Sequence, residues 1–390
     1  MKISVIGSTK PNYVASKEEF EDFSGKAAGI CYMAHSYEDL ANEDVSKTNR
    51  RIAMTKGNGH HSVFDHDFIN LYLEDIPKIV AMLLNNEKMY TTSEKSARYT
   101  KMNLSEDVQR IYDKWLEKFI VLIKDKYQEK CPDYFTDLRI KKLAQENARN
   151  FTSVFTPTSM AYSVSYRQFN YLCGFIQSEI DKDIKNDLQE RLTPYLVELL
   201  EKLKSLPYYD ETLSQNNKGR RFSLFNNLTY DVVDYFSDVY QTQYKASFAQ
   251  LAQAQRHRTI DYNMSLLDNA EFYIPPIIRN DQELVQEWLN DFEIVKDTYP
   301  QGMLVKVTEY GTLDNFILKM YERRCTCAQL EINEQVKETF DKYNKALHDN
   351  NHQRAKEMEQ FSKGARCTFP NFECTAKCMF IDGILEQRLI

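Results

Sequence analysis

The order of strand-like and helical segments before residue 208 recurs after residue 221, and this recurrence constrains the fold more than any single motif. The first half runs SVFDH (62–66), an alternating stretch DFINLYLEDI (67–76) and a helical IPKIVAMLLNN (76–86). A polar loop, the long helical EDVQRIYDKWLEKFIVLIKDKYQ (106–128), ENARNF (146–151), a strand-like SMAYSVSYRQF (159–169) and IQSEI (176–180) follow. The second half runs YDVVDY (230–235), a strand-like DVYQTQYKASF (238–248), a helix ending at RHR, a polar loop and EFYIPP. It continues with a helix, EIVKDTYP (293–300), a strand-like GMLVKVTEY (302–310) and AQLEI (328–332). Matching features are displaced by roughly 150–170 residues, which reads as duplication of one α+β unit. Residue matches between the halves are few, so order carries this inference. Helical spacing also marks 184–206 and 331–361, and MKISVIGSTK reads as a short strand. The polar YYDETLSQNNKGRR (208–221) is the predicted linker between a first repeat, 1–207, and a second, 222–390, with a cysteine-rich tail.

A chain of 390 residues with 42% hydrophobic content can bury a substantial core. Its net charge of -7 argues against nucleic-acid or membrane-surface binding by the whole molecule, while leaving room for a local basic pocket. There is no apolar run of bilayer length and no signal-peptide core at the N-terminus, so the expected location is the cytoplasm. Five of the eight cysteines fall from Cys325 onward. In a reducing compartment such clustering favours reduced thiols or a metal over disulfides. Cys367, Cys374 and Cys378 are the candidate metal ligands, but their spacing is not a standard knuckle, and the expectation is no metal.

Two short stretches carry the chemistry. In AQAQRHRTID (252–261), Arg256, His257 and Arg258 follow a small-residue helix. Helical neighbours fan by about 100°, so three such side chains either cap a helix end or grip a ligand with more than one anionic part. In TTSEKSARYTKM (91–102), Glu94, Ser96 and Arg98 alternate, so in extended backbone they share one edge. A carboxylate, a hydroxyl and a guanidinium in a row make a hydrogen-bonding comb for a polar ligand.

Together these stretches resemble the signature of the flavin-dependent thymidylate synthases, R-H-R-x-x-S-x-N-E-x-S-x-R-Y, split between the two halves. The first half keeps Glu94, Ser96, Arg98 and Tyr99, with Asn86-Glu87-Lys88 in place of R-H-R; the second keeps Arg256, His257, Arg258 and Asn263. GHHSVFDH (59–66) resembles the family's G-H-x-S-x-x-E-H, with Asp65 for Glu. QENARNF (145–151) resembles the segment bearing a substrate-binding arginine, here Arg149, and SYR (165–167) a flavin-contacting N-x-R. ERRCTCAQLEI (322–332) resembles the late R-x-x-x-x-A-Q-W-E-I and puts Arg323 at the family's substrate arginine. No arginine lies between Arg167 and Arg191 in the first half, and Lys296 stands where Arg149's counterpart falls.

In that family one nucleotide site is built by two subunits. The halves here retain complementary sets, so the resemblance implies two tandem repeats, each an antiparallel sheet with helices, fused as a pseudo-dimer with one complete composite site. It implies reductive methylation of dUMP to dTMP with FAD, taking reducing equivalents from NADPH and the one-carbon unit from methylenetetrahydrofolate. Gln253, Arg256, Glu94, Ser96, Ala97, Arg98 and Arg149 would hold the pyrimidine deoxynucleotide monophosphate, with Arg323 and Ser96 at the reacting centre. His257, Arg258 and Asn263 would meet the flavin, joined by Glu94 and by weaker contacts from His60, Ser62, Asp65, Arg167 and Tyr99 to flavin or folate. The family's common tetramer implies a homodimer of the fused chain. Two alternatives stay open. One is a related nucleotide such as dCMP, or hydroxymethyl transfer. The other is a catalytically silent nucleotide-binding homologue, in keeping with Asp65 for Glu, Ser165 for Asn, Asp261 for Ser, and Tyr171 near a usual flavin asparagine.

Overall fold

A computed structural model describes residues 1–8, 13–30, 37–96, 104–215, 222–228, 230–375, 378 and 388–390. The chain divides into two compact units that do not follow chain order. Unit 1 is Met1–Lys95 with Pro157–Arg220; unit 2 is Ser96–Thr156 with Arg221–Ile390. Compactness therefore exchanges 96–156 out of the stretch that the sequence assigns to the first repeat.

Unit 1 is built on a four-stranded antiparallel sheet of order β1-β2-β4-β3, with β1 Lys2–Ser8, β2 Phe68–Pro77, β3 Thr91–Glu94 and β4 Pro157–Ser165. The period-2 patterning turns Met160, Tyr162 and Val164 of β4, with Ile69, Leu71 and Leu73 of β2, into the core. Helix Lys17–Ile30 lies close against helix Val45–Gly57, and a Cβ on Gly25 would come within 2.6 Å of Ile52 Cγ1. Within 208–221, Tyr208 is buried against Phe20 and Glu211–Gln215 is helical.

Unit 2 repeats the sheet: β5 Tyr235–Phe236, β6 Val239–Ser247, β7 Asp261–Leu266 and β8 Leu304–Thr312 pair antiparallel in the order β5-β6-β8-β7. Three strand-to-helix junctions across the units use one device. Ser165, Ser247 and Thr312 end β4, β6 and β8, and their side chains accept from the backbone N–H groups of Gln168, Gln250 and Asn315, capping the helices that follow. This corrects the strand expected over 159–169: the cap at Ser165 turns Tyr166 and everything after it into helix. The helix expected over 331–361 is likewise two, Leu330–Asp349 and Ala355–Glu359, separated where Asn351 adopts φ 49°.

The core of unit 2 is aromatic. Trp115, on helix Glu106–Ile123, meets Trp288, on helix Gln282–Val295, edge-on at 4.7 Å, and Phe151 lies 4.5 Å from Trp288. Trp115 Nε1 donates to Asp291 Oδ2 at 2.7 Å, satisfying the one polar atom of the buried indole. Two short 3₁₀ turns close over this core, Arg149–Phe151 and Lys296–Thr298, each eight residues before the strand that follows. They are laced by backbone bonds, Val154 N to Tyr299 O, Gln301 N to Thr152 O and Gly302 N to Asn150 O. A Cβ on Gly302 would sit 2.8 Å from Asn150 Cβ, so the close approach requires glycine.

Candidate functional site

In unit 2 the capped helix Phe248–Ala254 ends one residue before Gln255, and Arg256-His257-Arg258 lies on the turn beyond it rather than on the helix. The turn is held by Arg256 N to Gln253 O and His257 N to Ala254 O. Arg256 and Arg258 are exposed and His257 is half-buried, so the fan predicted from the sequence is made by a turn.

His257 Nε2 accepts a hydrogen bond from Arg323 Nε at 2.8 Å, and Arg323 Nη2 donates to Gln253 O at 3.3 Å. Burial, with the neighbouring cations Arg323 and Lys319, holds His257 far below its usual range, at about 2. The ring is therefore neutral near pH 7, with its proton on Nδ1 so that Nε2 can accept. Gln253 Oε1 accepts from Gln329 N at 3.3 Å, and Gln329 Oε1 accepts from Arg149 Nη2 at 2.6 Å. Arg149 is 8% exposed. Its partner Gln329 also donates to Glu331 Oε2 at 3.3 Å, and Glu331 accepts from Ser247 N at 2.7 Å and Ser247 Oγ at 2.5 Å. Burial raises the Glu331 carboxyl to about 7, against the Ser247 hydrogen bonds and the Arg149 charge. One network thus joins Arg149, Gln253, His257 and Arg323.

Below it lies a buried ion pair. Lys319 Nζ contacts Glu309 Oε2 at 2.6 Å with both side chains fully buried, and the Tyr240 and Tyr244 hydroxyls donate to the same carboxylate at 2.5 and 2.6 Å. Lys319 sits one helical turn before Arg323 on helix Leu313–Arg323, so this pair fixes the base of the arginine.

The other expected residues fall as follows. Asn263, on β7, donates to the carbonyls of Ser223 and Asn226, anchoring 223–226. Ser96 begins unit 2 and is half-buried. Ala97, Arg98 and Tyr99 lie outside the described residues. In unit 1, Glu94 accepts from Lys78 Nζ at 2.6 Å and Asn85 Nδ2 at 3.5 Å. Asp65 gathers Ser165 Oγ at 2.6 Å and Arg167 Nη1 at 2.8 Å, at a cleft of about 560 Å³ also lined by His61, Lys88 and Tyr171. His60 and Ser62 are exposed beside it, on the approach to and within the 3₁₀ turn His61–Asp65. Among the described residues no three His, Cys, Asp or Glu side chains are placed to hold a metal, Cys367, Cys374 and Cys378 included. No described helix is long and apolar enough to cross a membrane.

Sequence reasoning quoted A-Q-L-E-I but gave Gln329 and Glu331 no role, and it missed Ser247 and Lys319. Ser247 was legible as a cap three residues before Gln250. Lys319 carried no signal, since a lysine on an amphipathic helix usually faces water.

Residues 14–190 match the family described as thymidylate synthase complementing protein. The matched segment is a little under half of the chain. No curated protein matches the chain. Among solved structures it is similar to a UMP/dUMP methylase, PolB, from Streptomyces cacaoi bound with 5-Br dUMP, at TM-score 0.32 and 16% identity over 52% of this chain and 88% of that one. It is also similar to thymidylate synthase X (ThyX) from Helicobacter pylori with FAD and dUMP, at TM-score 0.32 and 16% identity over 55% of this chain and 99% of that one. Likeness at these scores supports no residue-by-residue correspondence with the thymidylate synthase structures.

Proposed function

We propose that the chain is a flavin-dependent enzyme that methylates dUMP reductively to dTMP, with one composite site per pair of tandem repeats. The carrying observation is the network in which Arg149, from before β4, is tied through Gln329 and Gln253 to Arg323 and His257 of the later half. The recurrence of one strand order in both sheets supports the tandem reading, with repeats 1–207 and 222–390.

The donor set fits a pyrimidine mononucleotide. Arg256 and Arg258 reach solvent from a turn, as an incoming phosphate dianion requires, while Arg149 donates to the Gln329 side chain and Arg323 to His257 and the Gln253 carbonyl. Neutral His257 orients Arg323 without competing for its charge, so the guanidinium can polarise a pyrimidine carbonyl and stabilise negative charge as C5 becomes nucleophilic. Gln253 fixes the same guanidinium through its main-chain oxygen. Glu94, Ser96, Ala97, Arg98 and Tyr99 complete the nucleotide edge on this reading, with Ser96 at the reacting centre. For the flavin, the Asp65–Arg167 cleft has the size of small-molecule sites and an aromatic side chain, Tyr171, in its wall. His257, Arg258, Asn263, His60 and Ser62 are the further proposed contacts to flavin or folate. Bound FAD would supply hydride from NADPH, methylenetetrahydrofolate would supply the carbon, and C5 would lose its proton. The fused chain would pair as a homodimer, which light scattering reads directly.

The test uses the purified protein. Absorbance of bound flavin that bleaches with NADPH, and dTMP formed from dUMP and methylenetetrahydrofolate, are expected. A protein that takes up no flavin but is stabilised by dUMP would be a silent nucleotide-binding homologue, and stronger stabilisation by dCMP would shift the substrate. Arg256→Ala and Arg98→Ala should each abolish dUMP binding although they lie in different halves. Retained affinity in either sinks the shared pocket.

A further inference from the structure

Glu309, on β8, is a buried carboxylate at the foot of the helix that ends in Arg323. It takes three donors: Lys319 Nζ at 2.6 Å, and the hydroxyls of Tyr240 and Tyr244, both on β6, at 2.5 and 2.6 Å. Lys319 Nζ also reaches Gln335 Oε1 at 3.5 Å and lies 5.9 and 5.7 Å from the ring centroids of Tyr244 and Tyr262. Hydrocarbon of similar volume often replaces a buried ion pair with no loss of stability, so folding alone is a poor reason for this one. Arg323 supplies a better reason. It stands four residues beyond Lys319 on helix Leu313–Arg323. Side chains four apart on a helix are neighbours, and each leans toward the N-terminus, so Arg323 leans over the turn that carries Lys319. Burial pulls the Lys319 ammonium below its usual range, Glu309 opposes this, and the Arg323 charge adds to it. Yet Arg323 Nε donates to His257 Nε2 at 2.8 Å and its Nη2 to Gln253 O at 3.3 Å.

We propose that Lys319 is a positioning residue: by occupying Glu309 it keeps that carboxylate from drawing Arg323 down, and so holds the guanidinium against His257 and Gln253. The two tyrosine hydroxyls belong to the device. Hydrogen bonds donated to a carboxylate favour its ionised form, so Glu309 without Lys319 would keep its charge and take the nearest cation. That cation is Arg323, whose fork matches a carboxylate better than an ammonium does. Lysine at 319 spends its charge inside the fold so that the arginine one turn on keeps its aim. The consequence for a pyrimidine mononucleotide rests on the function proposed above; the position of the arginine does not.

The Arg323–His257 contact is an N–H···N hydrogen bond, so in isotope-labelled full chain its two nitrogens share a scalar coupling that nuclear magnetic resonance reads directly. Lys319→Met should abolish that coupling and weaken dUMP binding by at least about tenfold, because the freed carboxylate captures Arg323. Adding Glu309→Gln removes the lure, so the double variant should regain the coupling and bind dUMP within about threefold of the parent. A merely structural lysine predicts a different result: whatever protein stays folded would keep the coupling in the single variant. Coupling absent from the parent, kept in Lys319→Met or not restored in the double variant overturns the proposal. Where Lys319→Met does not fold, Lys319→Gln takes its place, since an amide donates to Glu309 without cancelling its charge. It too should lose the coupling, and keeping it overturns the proposal equally. The Trp288 indole N–H, bound to Tyr273 O, reports on the fold in the same spectra and should not move. A parent that shows the coupling but binds no dUMP would count against the proposed function alone.

Discussion

Two turns in unit 2 begin alike and end differently. Arg149–Phe151 and Lys296–Thr298 are each a 3₁₀ turn at the end of a helix, each eight residues before a strand, and they are laced together by backbone hydrogen bonds. Arg149 is buried and bound to Gln329, whereas Lys296 reaches half into solvent and pairs with Glu293 at 2.7 Å. The backbone device is shared; the side chain and its partner are not. The same holds in the glutamine–glutamate pairs of IQSEI and AQLEI. Gln177 donates to Asp181 and Glu179 pairs with Lys182, while Gln329 and Glu331 both enter the site network. The difference teaches that one backbone device can bury a cation in one place and leave it at the surface in the other.

If both turns stand on one core, removing the core should disturb both, and this is the largest effect expected. Trp288 is fully buried, touches Trp115, Phe119, Phe151 and Phe292, and donates to Tyr273 O at 2.8 Å. Trp288→Ala should cost about 3–5 kcal/mol in urea unfolding. A loss below about 1 kcal/mol would mean the turns are held independently. Next comes the direct contrast. Arg149→Ala should weaken dUMP binding by about 3 kcal/mol, since it removes a buried cation from its hydrogen-bonded partner, and Lys296→Ala should leave it unchanged. Isothermal titration of both variants decides it, and equal effects would erase the comparison.

Glu331 should show in pH dependence. Its carboxyl is raised from 4.5 to about 7 by burial, so folding is favoured while it is protonated in both states, and that stability is lost as pH rises from 4.5 through about 7. Glu331→Gln, which keeps the shape and stays neutral, should flatten this fall by about 2 kcal/mol in thermal unfolding between pH 5 and 8. An unchanged slope would show that the carboxyl is not held neutral by the fold.

The sheets were legible because alternation over DFINLYLEDI and DVYQTQYKASF needs only local period, and β2 and β6 begin within one residue of those stretches. Their end points were less so. The apolar pattern of SMAYSVSYRQF runs on past Ser165; only the Ser-x-x-Gln spacing of Ser165 and Gln168, shared with Ser247 and Gln250, marks where strand gives way to helix. Gln253, His257, Arg149 and Arg323 could be named because the family signature preserves side-chain types. Their joining through Gln329 could not, because its backbone N–H and its side-chain oxygen serve residues 76 and 180 positions away in sequence. The buried Lys319–Glu309 pair was hidden for the same reason: its meaning is set by what covers it.

The smallest effect is expected from the most tempting repair. Lys296→Arg restores the cation type of Arg149 at the matching turn, so side-chain identity alone would create a second site. The side chain would still emerge where Glu293 waits one turn away. Arg149 has burial and an acceptor in Gln329, and neither comes with the guanidinium. Titration of Lys296→Arg with dUMP should therefore still give one nucleotide per chain, with the unfolding midpoint unchanged from the parent. Two nucleotides per chain would show that the second turn lost its site through one residue rather than through its surroundings.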